Sequence, residues 1–423
     1  MVGQRIRYYR KTKGLTQEEL AQGICSVSYL SKIEKGDAKS SEEVINLLCE
    51  RLGISPEEVD SNEILELLNE WNMMMVNRRF EEADDFFEKV QEKMQIVNEP
   101  ELILRYELFL ARYYIVTANP NINAASNLLL KVNNLKEQLT PELIFYFNIV
   151  SGSLNINQNN HKLSIQFFKK AEDIYNTTNS NINESDVAVL YYLTALAYGY
   201  LMRISAVNSY AFKAIGIFDK EYNYSRSADC QILLAISYRR VQNYDQAEYH
   251  LNQALKYSRS FHDNFTSGVI YHNLGYVFSC KKEHLKAVEF FKKSLFFKEK
   301  DGDPERIAGT SYMLAQEFFE LQDFEQARQW IKKSFDNLGN NTTSDFYYHL
   351  QILNYRVEGS EYTWSEFETF VSKEAIPHFE KRNMWEYVSL YSELLADSYF
   401  DQSQYKKASL FYRISNNSRK KIF

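Results

Sequence analysis

Two segments of this 423-residue sequence carry side chains whose types and spacing could do chemistry. In the first, residues 26–35, the polar residues Ser28, Lys32 and Lys35 recur at the spacing that places them on one face of a helix. Hydroxyl and ammonium groups on the outside of a short helix can hydrogen-bond to phosphates and to base edges in a DNA major groove. This segment therefore predicts contact with nucleic acid.

The second segment lies in the middle of the chain, where Asn273 stands two residues before Gly275. A carboxamide both donates and accepts hydrogen bonds, so Asn273 could satisfy the polar groups of an extended peptide backbone. Arg239 and Arg240 could add positive charge to the same channel, or could instead form salt bridges with acids on a neighbouring helix pair. Three further residues are weaker candidates for lining it: Tyr192, His272 and Gln316.

Other kinds of chemistry have no visible support in the sequence. The chain contains no GxxxxGK[ST] loop, no GxGxxG after a strand, no HExxH and no GxSxG. The four cysteines form no CxxC pair and are expected to be reduced thiols. His272 and His284 lack the spacing of metal ligands and are expected at the surface. We therefore predict no catalytic residue, no metal site and no cofactor.

The composition predicts which elements must position these side chains. Only 14 Gly and 6 Pro among 423 residues are too few for an all-β chain, and 15% aromatic residues argue against disorder. No apolar run is long enough to span a membrane, and the basic N-terminus lacks the apolar region of a signal peptide. A helical, soluble, cytoplasmic protein is expected.

Charge divides the chain into two parts. Residues 1–40 contain eight basic and four acidic residues, a net charge of +4, which leaves −11 for the remainder of a chain whose total is −7. A small basic head on a large acidic body indicates two separate roles.

The head is predicted to consist of short capped helices. A first helix over residues 2–12 ends at Gly14, and Thr16 with Glu19 forms a capping box for the second. Ser26 caps a third helix, which ends at Gly36. Ser41 caps a fourth helix, and a fifth begins at residues 55–57. The apolar residues along the fourth helix are Val44, Leu47, Leu48 and Leu52.

Three motifs in this head resemble the XRE/Cro-type, lambda-repressor-like helix-turn-helix family. They are residues 16–22 (TQEELAQ), 26–36 (SVSYLSKIEKG) and 47–56 (LLCERLGISP). The resemblance implies a DNA-binding domain at residues 1–60 that dimerises across two half-sites.

The same resemblance implies roles for individual residues. Gln17, at a helix N-terminus, would contact a phosphate, and Tyr29 would either touch the DNA backbone or pack beside Ile33. The candidate DNA-binding residues are Gln17, Ser26, Val27, Ser28, Tyr29, Ser31, Lys32 and Lys35, of which Val27, Ser28 and Lys32 would face base edges.

The body repeats with a period of 40 residues. Small residues recur at Ala195, Ala235, Gly275 and Ala315, and an aromatic residue follows each of them three positions later. A small residue lets the second helix of a pair approach the first, and the aromatic residue is expected to fill the gap against the next pair. The pattern resembles tetratricopeptide (TPR) repeats with lengthened linkers.

These observations predict an all-α chain. Residues 1–60 form a five-helix helix-turn-helix domain, and residues 61–423 form a right-handed TPR superhelix of eight or nine helix pairs. An extended peptide would bind in the concave groove of that superhelix.

The whole chain resembles the Rap–Rgg–NprR–PlcR–PrgX group of peptide-pheromone receptors. The resemblance is carried by a helix-turn-helix joined to TPR repeats, and in detail by residues 69–75 (NEWNMMM) and 271–275 (YHNLG). It implies a quorum-sensing transcriptional regulator whose DNA binding is gated by a short imported peptide, with Asn273 clamping the peptide backbone. Rap receptors have an acid near the position of Arg239 and Arg240 and bind basic peptides, so the reversed charge here implies a peptide with an acidic side chain. A homodimer or homotetramer is implied as well.

Two other hypotheses stay open. The segment that begins at residue 69 also resembles Rap phosphatases, which implies a sporulation response regulator as a partner, either bound or dephosphorylated. The family glutamine that would act there aligns near Glu99 and Pro100, a departure that weighs against catalysis. A plain TPR scaffold without a small ligand is the second alternative. The partners expected are thus promoter DNA, a signalling peptide, a second copy of the chain and a response regulator, but no membrane.

Overall fold

The computed structural model describes residues 2–37, 41–54, 61–117, 119–178, 182–258, 263–359 and 363–422. Within those ranges every regular element is helical. The chain divides into two compact units, residues 1–226 and 227–423. The all-α prediction is confirmed.

The head consists of four described helices: α1 (Val2–Thr12), α2 (Gln17–Ala21), α3 (Val27–Lys35) and α4 (Glu42–Leu52). The sequence predicted their ends because the caps are local. Thr16 and Glu19 form the expected capping box, Ser26 and Ser41 cap α3 and α4, and Gly36 ends α3 in the left-handed conformation. The fifth predicted helix, from residue 55, lies outside the described residues.

The core of the head is built from apolar positions on all four described helices. Ile6, Leu20 and Leu30 are fully buried and pack together with Leu48. On α4, Leu48 and Cys49 are fully buried, whereas the adjacent Leu47 is 42% exposed.

The rest of the first unit contains pairs of helices. They are α5 (Ser61–Val76), α6 (Phe80–Met94), α7 (Pro100–Val116), α8 (Ile122–Asn134), α9 (Pro141–Asn157), α10 (His161–Thr177), α11 (Glu184–Tyr200) and α12 (Ile204–Lys220), with a 3-10 turn at Lys136–Gln138 between α8 and α9.

The helix pairs continue through the second unit, which begins within α13. They are α13 (Tyr224–Arg240), α14 (Tyr244–Ser258), α15 (Asn264–Cys280), α16 (His284–Asp301), α17 (Pro304–Glu320), α18 (Phe324–Leu338), α19 (Asp345–Glu358), α20 (Trp364–Phe370), α21 (Ile376–Lys381), α22 (Trp385–Asp401) and α23 (Tyr405–Ile422), with a π-helical turn at Val371–Ala375 joining α20 to α21.

The 40-residue period predicted from the sequence is confirmed. The first helices of four successive pairs begin at residues 184, 224, 264 and 304. The small residues that define the period are all buried, and at Gly275 an added Cβ would stand 2.6 Å from a ring carbon of Phe291. The two helices of this pair therefore approach as closely as glycine allows.

The recurring aromatic residues pack differently from the prediction. Each was expected to fill the gap against the next pair, but three of them stack on the second helix of their own pair. Tyr198 stacks on Tyr210 at 5.9 Å, and Phe278 stacks on Phe290 at 5.1 Å. Tyr238 stacks on His250 at 5.2 Å. In all three cases the partner lies twelve residues further along, so the stacked rings join the two helices of one pair.

A buried polar cluster holds α5 against three first helices of the first unit. The Arg112 guanidinium on α7 donates to Asp186 on α11 and to Asn72 on α5, at 2.7 Å in both cases. The Tyr146 hydroxyl on α9 donates to the same Asp186 carboxylate at 3.1 Å. All four side chains are nearly inaccessible to solvent, and burial raises the pKa of the Tyr146 hydroxyl well above its ordinary value.

Candidate DNA-binding face and candidate peptide groove

The helix α3 presents most of the predicted DNA-binding residues to solvent. Ser26, Ser28, Lys32 and Lys35 are exposed, and Ser31 is half-buried. Val27 is 43% exposed at the first position of α3, where an apolar side chain could meet a thymine methyl group. The Ser26 hydroxyl accepts the Tyr29 backbone N–H at 3.2 Å, so the first turn of α3 is fixed by its own cap.

Gln17 is positioned by a buried ion pair that sequence reasoning missed. Arg10 on α1 donates to both carboxylate oxygens of Glu34 on α3, at 2.6 and 2.9 Å, and Glu34 is 3% exposed. The Gln17 side-chain amide donates to the same carboxylate at 2.7 Å. A signal was present in the sequence, because Glu34 stands four residues after the buried Leu30 on the inner side of α3.

Tyr29 packs with the head core. It is half-buried and lies against the cluster that contains Leu30 and Ile33. This packing agrees with one of the two roles that the sequence left open, and contact with the DNA backbone stays a prediction.

In the second unit, Asn273 and Arg239 lie on neighbouring first helices. Asn273 on α15 is half-buried, and its amide nitrogen donates to the Val269 carbonyl at 2.9 Å within the same helix. The Arg239 guanidinium at the end of α13 lies 4.0 Å from the centre of the Tyr276 ring, which is also on α15. Arg240, the next residue, is exposed.

Arg239 forms a cation–π contact where an ion pair was one of the two predictions. Among the described residues no carboxylate pairs with it, and its buried Nε–H has no hydrogen-bond acceptor. Burial raises the pKa of Tyr276, and the Arg239 charge opposes that rise. A guanidinium with an unused donor beside a tyrosine could donate a hydrogen bond to the carboxylate of a ligand.

His272 and His284 are not the surface groups that the sequence suggested. Nδ1 of His272 lies 3.2 Å from the Thr310 hydroxyl, which accepts a hydrogen bond from the Lys298 ammonium at 2.7 Å. Burial, together with the nearby charges of Lys298, Arg239 and Arg306, lowers the pKa of His272 well below its ordinary value. His284 pairs with the buried Glu317 at 2.8 Å. Both rings face neighbouring helices because the repeat packs them there.

Sequence reasoning missed two half-buried tyrosines on first helices of the second unit, which the repeat period could have revealed. Tyr276 stands 40 residues before Gln316, and Tyr312 stands 40 residues after His272. All four residues are half-buried on first helices of the second unit. Burial raises the pKa of Tyr312 to about 12. We call Arg239, His272, Asn273 and Tyr276 the inner cluster.

Tyr192, the last predicted groove residue, belongs to the first unit. It is half-buried on α11, and the Arg226 guanidinium lies 5.9 Å from the centre of its ring. The structure therefore does not place it within the inner cluster.

The described residues offer no alternative centre for metal chemistry. Within them no group of three or more His, Cys, Asp or Glu side chains could hold a metal ion. No described helix has the length and apolar character that crossing a bilayer requires.

Comparison with known proteins supports both halves of the architecture. A helix-turn-helix family model matches residues 6–59, and a tetratricopeptide repeat model matches residues 226–300. The chain is 33% identical to the transcriptional activator NprA of Geobacillus stearothermophilus, over 94% of this chain and 98% of NprA. It is 24% identical to the regulatory protein RapD of Bacillus subtilis, over 82% of this chain and 96% of RapD.

Solved structures of the quorum sensor NprR share the fold. The apo form from B. thuringiensis superimposes with a TM-score of 0.73 at 22% identity, covering 85% of this chain and 99% of NprR. NprR in complex with its cognate peptide NprX gives a TM-score of 0.62 at 24% identity, with 85% and 99% coverage. The similarity to NprA covers nearly the whole length of both proteins, including the head and the repeats. This chain therefore belongs to the family of the transcriptional activator NprA.

Proposed function

We propose that the chain is a quorum-sensing transcriptional regulator whose DNA binding is gated by a short imported peptide bound inside the repeats. The observation that carries the proposal is the pairing of two surfaces in one chain. The head presents an exposed hydroxyl and ammonium face on α3, and the second unit presents the inner cluster, where the Arg239 Nε–H lacks an acceptor.

The head would bind DNA through α3 in the major groove. Lys32 and Ser28 would contact base edges, Val27 a thymine methyl group, and Lys35 a phosphate. The amide of Gln17, held by Glu34, would contact a phosphate near the N-terminus of α2.

The inner cluster would bind a peptide that carries an acidic side chain. Arg239 and Arg240 would pair with its carboxylate, and the Asn273 carboxamide would exchange its bond to Val269 for bonds to the peptide backbone. Nearby Lys298 and Arg306 make the surroundings of His272 positive, which favours an anionic ligand. The solved complex of NprR with NprX supports a peptide as the ligand class.

We further propose the organisation and setting of this activity. Residues 1–60 form the DNA-binding domain, and residues 61–423 form the peptide-binding repeats. The protein works in the cytoplasm as a homodimer or homotetramer, because a helix-turn-helix of this kind recognises paired half-sites.

Fluorescence anisotropy tests the DNA-binding half of the proposal. An operator selected from a random duplex library should bind the full chain with an affinity that changes when the correct peptide is added. Lys32→Ala should weaken binding by about tenfold, the effect of losing one base contact. Lys420→Ala, an exposed lysine outside the head, is the control. Equal affinity of both variants would refute the assignment of α3.

Isothermal titration tests the peptide half. In a panel of short peptides, those with an Asp or Glu should bind more tightly than the same peptides with Asn or Gln. Arg239→Gln or Arg240→Glu should remove that preference, whereas Arg413→Gln on α23 should keep it. Undiminished binding by the Arg240→Glu variant would exclude a role for its charge.

A second candidate function is capture of a sporulation response regulator. The similarity to response regulator aspartate phosphatase I of Bacillus subtilis, 22% identical over 84% of this chain and 90% of that protein, favours it. At the position where the resemblance would place a catalytic glutamine, Glu99 and Pro100 instead form the start of α7, and neither supplies an amide side chain. We therefore propose binding without catalysis. Pull-down of a phosphorylated response regulator without phosphate release would support it, and accelerated release would contradict it.

A further inference from the structure

The first helix of the head is docked on the repeats of the first unit. The Lys11 ammonium lies 3.0 Å and the Arg7 guanidinium 3.3 Å from the same carboxylate oxygen of Glu137. Glu137 belongs to the 3-10 turn between α8 and α9, so these ion pairs join residues about 130 positions apart in sequence. Lys11 and Arg7 hold the pKa of Glu137 below its ordinary value.

Tyr8 supplies the buried centre of this contact. It is 3% exposed although it lies outside the apolar core of the head, and α1, which carries it, packs against α7 of the repeats. Burial and the nearby carboxylate of Glu107 on α7 raise its pKa well above the ordinary value. A buried aromatic side chain beside exposed ion pairs is the usual anatomy of a specific interface.

The docked side of the head is not its DNA-binding side. While Tyr8 is covered, Ser28, Lys32 and Lys35 on α3 remain exposed. The contact therefore holds the head in one orientation and leaves α3 accessible.

We propose that Tyr8 and Glu137 position the DNA-binding head, so that the repeats rather than a flexible tether set the separation of the two half-sites that a dimer recognises. This inference rests on the proposed function. Each added base pair moves a half-site by about 3.4 Å and rotates it by about 35°. Two heads fixed to their repeats tolerate little of that change, whereas two tethered heads tolerate several base pairs.

The docking itself is tested without DNA. A carbodiimide joins an ammonium to a carboxylate only when they touch, so it should link Lys11 to Glu137 within single chains, as seen by mass spectrometry of the monomer band. Lys93 and Glu63, 2.9 Å apart in the same unit, serve as the positive control. If the control link forms and the Lys11–Glu137 link does not, the head is not docked.

The positioning role is tested on operators whose half-site separation changes one base pair at a time through a full turn. The native chain should show one sharp optimum. Glu137→Lys should lower affinity at that optimum by about tenfold and flatten the profile, with binding to a single half-site unchanged. Glu88→Lys, the same charge change at an exposed site on α6, should behave as the native chain.

A reversed pair sharpens the result. Arg7→Gln and Lys11→Glu combined with Glu137→Lys should restore the sharp optimum that Glu137→Lys alone removes. A Glu137→Lys profile identical to the native one would overturn the positioning role even if the cross-link forms. If the native chain binds no DNA, the proposed function fails, and the cross-link still decides whether the head is docked.

Discussion

The head and the repeats end their helices in different ways. In the described part of the head, the residues with positive φ are all glycines: Gly14, Gly23, Gly36 and Gly53. In the repeats, most residues with positive φ carry a side chain, and four of them recur every 40 residues: Met202, Gln242, Lys282 and Gln322. A side chain in the left-handed region costs about 1–2 kcal/mol relative to glycine.

That difference shows which forces shape each region. The turns of the head are encoded by the residues that occupy them, because glycine enters the left-handed region without cost. The turns of the repeats are imposed by the packing of two helices whose aromatic residues stack, as Phe278 does on Phe290. We expect the stability of the turns in the repeats to depend on contacts between residues distant in sequence. The turns of the head should depend on the residues that occupy them.

The largest expected effect is the loss of a buried tertiary contact in the repeats. Arg112→Met leaves the Asp186 carboxylate buried without its counter-charge, and we expect it to lower the free energy of unfolding by about 3–5 kcal/mol in urea titrations. Arg112→Met combined with Asp186→Leu should recover most of that loss. A cost below about 1 kcal/mol for the single change would show that this cluster does not hold the repeats.

The equivalent change in the head should separate stability from DNA binding. Arg10→Met leaves Glu34 unpaired and should cost about 3 kcal/mol. Adding Glu34→Leu should restore stability but not DNA affinity, because Gln17 loses the carboxylate that orients it. Urea titration and fluorescence anisotropy measure the two quantities. Recovery of both would show that Glu34 serves the fold alone.

Close packing in the repeats gives a smaller effect. Gly275→Ala places a methyl group against Phe291 and should cost about 1–3 kcal/mol. The matched control is Gly216→Ala on α12, where nothing lies within 4 Å of the new Cβ and the better helix former should stabilise by about 1 kcal/mol. Thermal unfolding followed by circular dichroism distinguishes the opposite signs, and equal signs would contradict the packing account.

The smallest expected effect comes from exchanging residues at the helix-ending turns, which tests the difference between the head and the repeats directly. Gly36→Ala in the head forces a side chain into the left-handed region with φ at 80° and should cost about 1 kcal/mol. Gln242→Gly in the repeats relieves the same strain and should be neutral or stabilise by up to about 1 kcal/mol. Destabilisation by Gln242→Gly would mean that this turn, like those of the head, depends on its own residue.

Much of the fold and part of the candidate site could be predicted from sequence. The caps at Thr16 and Ser26 and the 40-residue period were available because each depends on residues close in sequence or on regular repetition. The exposed face of α3 followed from helical periodicity. The environment of His272 did not follow, because its neighbours Lys298 and Thr310 come from other helices.

The sequence by itself determined the helices, their caps, the repeat period and the charge contrast between the head and the body. These features arise from backbone hydrogen bonding, side-chain volume and charge, which act within a turn or a repeat. The tertiary structure alone decided that Arg239 would stack on Tyr276, that Gln17 would be held by Glu34, and that Tyr8 would be buried on a helix packed against α7. Those pairings depend on how helices meet in space, which no local spacing specifies.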